Sequence, residues 1–174
     1  IPTPEQRKEL YFWNKKMRNG KTGKPIFIMD FQNDGEYVGG CIAGGRNYFH
    51  VNSAGDIEPC VFIHYSDSNI RTHTILEALK NPLFMEYRKG QPFNDNHLRP
   101  CPMLENPDKL REIVKKTGAK STNLIVEEDV DTLCARCDEF AYEWQPVADE
   151  IWATTKHPKT HTQYYRDNGK SVRQ

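Results

Sequence analysis

Five cysteines carry most of the chemistry open to this chain: Cys41, Cys60, Cys101, Cys134 and Cys137. Cys41 and Cys60 are separated by thirteen residues, Gly55 and four more residues. The segments Tyr48–Val51 and Ile57–Ile63 flank Asn52-Ser-Ala-Gly55-Asp56, which predicts a β-hairpin with a short turn. Gly55 supplies the positive φ of that turn, and the returning strand brings Cys60 back toward Cys41. Four glycines, Gly39, Gly40, Gly44 and Gly45, are expected to aim backbone N–H groups at the sulfurs. Soft thiolates select zinc or iron–sulfur clusters, and N–H groups directed at sulfur stabilise an anionic cluster. Cys101 stands between two prolines in a polar loop from Gly90 to Pro102, a placement that can deliver a third thiol.

Cys134 and Cys137 lie at i and i+3, on one face of a predicted helix. They can be cluster ligands, half of a zinc site, a redox pair, or small core residues. A thioredoxin-like pair needs a strand just before it, and the residues here are acidic and polar. Glu127, Glu128, Asp129 and Asp131 read as helix N-terminal charge rather than as an acid–base pair. His50 and His64 fall on the hairpin; His64 and His97 are candidate ligands if the metal is zinc. Arg46 and Arg99 lie two to five positions from a cysteine and can offset thiolate charge. No phosphate-binding loop, nucleophile elbow, zincin or dinucleotide fingerprint is present.

The elements that position these residues follow from periodicity and caps. Thr3, Pro4, Glu5 and Gln6 form a capping-box signature, and Leu10, Phe12, Trp13 and Met17 continue a helix that ends at Gly20. Pro25 to Phe31 is short and apolar, which predicts a buried strand. Helices are expected from Thr74, from Pro82, and from Asn106 to Gly118. From Glu127, Val130, Leu133, Cys134, Cys137, Phe140, Ala141, Trp144, Ala148, Ile151 and Trp152 form one long amphipathic stripe, with a kink expected at Pro146. After Trp152 the apolar pattern stops, and Lys156 to Gln174 is expected to be a flexible tail.

Composition bounds the function. The chain has 174 residues, 24 basic and 24 acidic, and a mean hydropathy of −0.80. That suits one domain, or one domain with an arm. Zero net charge argues against a general nucleic-acid binder, and no apolar run approaches the roughly 20 residues of a membrane span. Odd cysteine usage without an export signal argues for the cytoplasm. Ile1 in place of Met reads as a processed or partial chain.

The Cys41-x13-Gly55-x4-Cys60 element resembles the opening of the auxiliary cluster domain that follows the barrel in many radical SAM enzymes, the SPASM or twitch domain. The neighbouring words are similar too: Gly40-Cys41-Ile-Ala-Gly44-Gly45, Asp56-Ile-Glu-Pro-Cys60, Ser68-Asn69-Ile70-Arg71, and Leu76 through Phe84 to Arg88. Cys101 stands where that family resumes its ligands. The resemblance spans about residues 25 to 118. It implies one [4Fe–4S] cluster, with ligands drawn from Cys41, Cys60, Cys101, Cys134 and Cys137. The dense second cysteine set of the SPASM form is missing, as in the twitch form. The Cys-x3-Cys-x2-Cys motif that holds the S-adenosylmethionine-cleaving cluster is also missing, since the gaps here are 18, 40, 32 and 2 residues.

The resemblance therefore implies the C-terminal part of a radical SAM protein. S-adenosylmethionine would be bound by the parent, whose N-terminal barrel would be this region's partner. The expected layout is a barrel-edge helix and strand at 1–35, a cluster domain at 36–155 and a tail at 156–174. The expected fold class is α+β, a small β-hairpin region with packed helices and a long final helix. The alternatives are a structural zinc module and a thiol oxidoreductase using Cys134 and Cys137.

Overall fold

The computed structural model describes residues 1–18 and 27–157. Its elements run α1 (Pro4–Arg18), α2 (Gly35–Val38), β1 (His50–Val51), β2 (Ile57–Glu58), β3 (Tyr65–Ser66), α3 (Ile75–Ala78), α4 (Pro82–Gly90), α5 (Pro107–Thr117), β4 (Lys120–Ser121) and α6 (Val130–Thr154). The class is α+β, with two antiparallel sheets of two strands each, β1–β2 and β3–β4. Among the described residues, no helix is long and apolar enough to cross a membrane. The expected tail, from Pro158 onward, lies outside the described residues.

Local rules explain several helix ends. Thr3 and Gln6 cap α1 reciprocally, each backbone N–H meeting the other side chain. Thr74 and Glu77 do the same for α3. Gly118, at φ 68°, ends α5 in the left-handed conformation. The Asp129 carboxylate accepts from the N–H groups of Asp131 and Thr132 and starts α6.

α6 carries the stripe expected of it and passes through Pro146 without ending. Proline crowds the carbonyl four residues back, which here belongs to Tyr142, a residue 81% exposed. At one end of the helix, Val130 and Cys134 join Ile63, Tyr65, Leu83, Tyr87, Leu110 and Ile113 in the main core. At the other, Trp144, Ala148 and Ile151 pack with Tyr11 and Leu98 in a second core.

Two expectations need correction. The hairpin forms, with His50 opposite Glu58 and Val51 opposite Ile57, but the returning strand stops after Glu58. Pro59 has no N–H to continue a ladder, and Cys60 pairs with Ile63 across a tight turn instead. The strand expected at 25–31 is not formed over its described part. Residues 27–30 join no sheet, and Phe27, Met29 and Phe31 are 88%, 61% and 56% exposed. Pro25 and Ile26 lie outside the described residues.

α1 forms as expected, and its inward face is polar. Leu10, Phe12 and Trp13 are exposed, while Arg7, Tyr11 and Asn14 are buried. The cause is Arg7. It donates to Glu105 (2.6 Å), Asn33 Oδ1 (3.0 Å) and the carbonyls of Gln32 (2.9 Å) and Leu98 (3.0 Å). Its guanidinium also lies 4.1 Å over the Trp144 ring. A buried cation with four of its five N–H groups bonded sets the rotation of the helix here, ahead of its apolar residues.

Candidate metal centre

Cys41, Cys60 and Cys101 come from three segments and reach one neighbourhood. Asn52 makes the hairpin turn, its Oδ1 accepting from the N–H groups of Ala54 (2.9 Å) and Asp56 (3.0 Å). Gly55 sits at φ 89°. The loop carrying Cys41 is laid against the hairpin by two bonds, Gly44 N–H to Pro59 O (2.9 Å) and Gly45 N–H to Tyr48 O (3.0 Å). Arg46 donates to the carbonyls of Val38, Gly39 and Cys41 and fixes the rest of that loop. Cys101 is held by Glu105, whose Oε2 accepts from the Cys101 N–H at 2.6 Å.

Each of the three sulfurs has a hydrogen-bond partner. The Tyr48 hydroxyl lies 2.8 Å from Cys60 Sγ, and the Tyr87 hydroxyl 3.3 Å from Cys41 Sγ. The hydroxyls are the donors, since O–H is a stronger donor than S–H. The Leu104 N–H donates to Cys101 Sγ at 3.4 Å. The N–H groups of Ala43 and Met103 also pull the Cys41 and Cys101 thiols toward ionisation. Burial opposes this and wins, holding Cys41 above the ordinary thiol range and Cys101 well above it. Burial likewise raises Tyr48 and Tyr87, so both hydroxyls keep their protons. Tyr48 and Tyr87 each lie within electrostatic reach of all three thiols.

The glycines act differently from expectation. The N–H groups of Gly39 and Gly40 go to Gly35 O, and those of Gly44 and Gly45 go to the hairpin carbonyls. None of the four is directed at sulfur; that part is taken by Ala43, Met103 and Leu104. Gly44 serves packing instead. A Cβ there would stand 2.1 Å from Tyr87 Cδ1, at a φ of +67°.

Cys134 is fully buried in the main core that contains Cys60 and against which Cys41 and Tyr48 pack. Burial pushes its thiol up to about 12. Cys137, one turn on, is buried and also raised by burial, and it lies within electrostatic reach of Glu105. Arg99 points to Gln145 (3.3 Å). His64 directs Nδ1 to Glu58 (3.4 Å). His97 packs on Trp152 with ring centroids 5.5 Å apart, and Trp152 is about 27 Å along α6 from Cys134 at 1.5 Å per residue.

Glu58 is the residue that spacing did not single out. It is fully buried and accepts from His50 Nδ1 (2.8 Å), Asn52 Nδ2 (3.0 Å), His64 and Thr122 Oγ1 (2.5 Å). It lies two residues before Cys60 and anchors that turn. A carboxylate between two apolar residues, with two histidines on the same hairpin, was the available signal.

The donor chemistry fits a thiolate-bound group, with three soft ligands and a hydrogen bond to each. Four sulfurs about 2.3 Å from one zinc stand about 3.8 Å apart, and no three His, Cys, Asp or Glu side chains among the described residues are gathered to hold a metal ion.

No protein-family profile, curated protein or solved structure matches this chain.

Proposed function

We propose that this chain is the auxiliary iron–sulfur region of a radical SAM protein, binding one [4Fe–4S] cluster through Cys41, Cys60, Cys101 and a cysteine of α6. The observation that carries the reading is the approach of three thiols from separate segments, Cys60 bonded to the partly buried Tyr48, Cys41 to the buried Tyr87 and Cys101 to the Leu104 N–H. The resemblance of Cys41-x13-Gly55-x4-Cys60 and its neighbouring words supports the same reading.

When bound, such a cluster supplies an electron-transfer or substrate-positioning centre. The chain's own residues do the rest. Glu105 and Glu58 anchor the segments carrying Cys101 and Cys60. Tyr48, Tyr87, Ala43, Met103 and Leu104 donate to the sulfurs. The raised thiols are neutral at pH 7, so ligation must release protons.

Anaerobic reconstitution with iron and sulfide tests this. A brown protein with stoichiometric iron and sulfide is the expected result. A colourless protein with one zinc would replace the reading with a structural zinc module. A metal-free dithiol at Cys134 and Cys137 would replace it with a thiol oxidoreductase.

A further inference from the structure

We infer that Tyr48 and Tyr87 are tuning residues for the bound cluster, donating their hydroxyl hydrogens to the sulfurs of Cys60 and Cys41 and so favouring its reduced state. This rests on the cluster reading above and goes beyond it, because it assigns a role to two residues that are not ligands. The two contacts, 2.8 Å and 3.3 Å, come from different elements. Tyr48 stands at the head of the hairpin and Tyr87 in the middle of α4.

Tyr87 is fully buried. Its ring meets Phe93 edge-on, with centroids 4.9 Å apart at 84°. Gly44 lies against its other atoms with no room for a Cβ. A side chain held so firmly delivers its hydroxyl to one place.

The sign follows from charge. Reduction adds one electron from an external low-potential reductant, and no bond breaks. The added negative charge resides partly on the ligand sulfurs, and a donor aimed at them stabilises the reduced form more than the oxidised one. Removing the hydroxyl must therefore make the potential more negative.

The test is a redox titration of the reconstituted protein and of Tyr48→Phe and Tyr87→Phe, with iron and sulfide counted in each. Tyr65→Phe is the control. Tyr65 is buried in the same core, but its hydroxyl donates to the Glu128 carbonyl (2.9 Å) and not to sulfur. Full iron, a more negative potential in both variants, a larger shift in the double variant and none in the control is the expected result. Full iron with an unchanged potential overturns the assignment while leaving the cluster reading intact. Variants that lose iron where the native protein keeps it also overturn it, making the hydroxyls structural. A native protein that takes up neither iron nor sulfide overturns the cluster reading and this assignment with it.

Discussion

The Arg7 guanidinium donates to the Glu105 carboxylate at 2.6 Å, with both side chains sealed from solvent. Glu105 in turn accepts from the backbone N–H of Cys101 at 2.6 Å. The first helix is thereby connected to a cysteine loop almost a hundred residues away through one carboxylate. Arg7→Ala would leave Glu105 buried without its cation, a change that costs about 3–5 kcal/mol. The expected outcome is a lower midpoint in denaturant melts and faster loss of bound iron. Equal stability of the variant would remove the pair from any role in holding Cys101.

Gly44→Ala is expected to be as damaging. The added Cβ meets Tyr87 Cδ1 at 2.1 Å, and φ is +67°. Left-handed strain and overpacking together cost about 2–5 kcal/mol. Circular dichroism melts of Gly44→Ala beside Gly118→Ala separate the two causes, because nothing lies within 4 Å of a Cβ at Gly118.

The thiols make stability depend on pH in a definite direction. Cys134 is raised from 9.0 to about 12, so the folded state holds that proton more tightly than the unfolded state. Its contribution is full below about pH 9 and is lost as pH rises toward 12. Urea midpoints of the metal-free protein should fall across that window, less steeply in Cys134→Ala. Metal uptake has the opposite dependence, weakening as pH falls, because protons compete for the thiolates.

Cys41→Ala, Cys60→Ala and Cys101→Ala are each expected to reduce bound iron well below the native stoichiometry, as measured by iron and sulfide analysis. Full iron in Cys101→Ala would show that its loop does not contribute a ligand. The Cys134→Ala and Cys137→Ala single variants then choose the fourth ligand, since only one of them should lose iron.

No 5′-deoxyadenosine is expected from S-adenosylmethionine with this chain, iron, sulfide and reductant together. The chain has no Cys-x3-Cys-x2-Cys motif. Product above a no-protein control would contradict this.

What could be read from the residues alone was whatever local rules govern. The stripe of α6, the capping box at Thr3 and the stop at Gly118 depend on neighbours within a few positions, and all are present. The turn at Gly55 is of the same kind. The inward face of α1 was not legible, because Arg7 acquires its partners from Asn33, Leu98 and Glu105. The same holds at the sulfurs. Tyr87 lies 46 positions from Cys41 and follows no spacing rule. The glycines misled because small size also serves packing: Gly44 admits Tyr87, Gly45 admits Leu79 and Gly40 admits Pro92.

The length of α6 has a mechanical consequence. Its 25 residues form a common wall for both cores, Val130 and Cys134 at one end and Trp144, Ala148 and Ile151 at the other. Neither half can open without stripping apolar cover from the helix that the other half needs. Unfolding of one core therefore propagates to the other, and backbone amides from Cys134 to Ile151 should exchange with deuterium at one shared rate. Exchange of the Cys134 end at a faster rate than the Ile151 end would show instead that the two cores open separately.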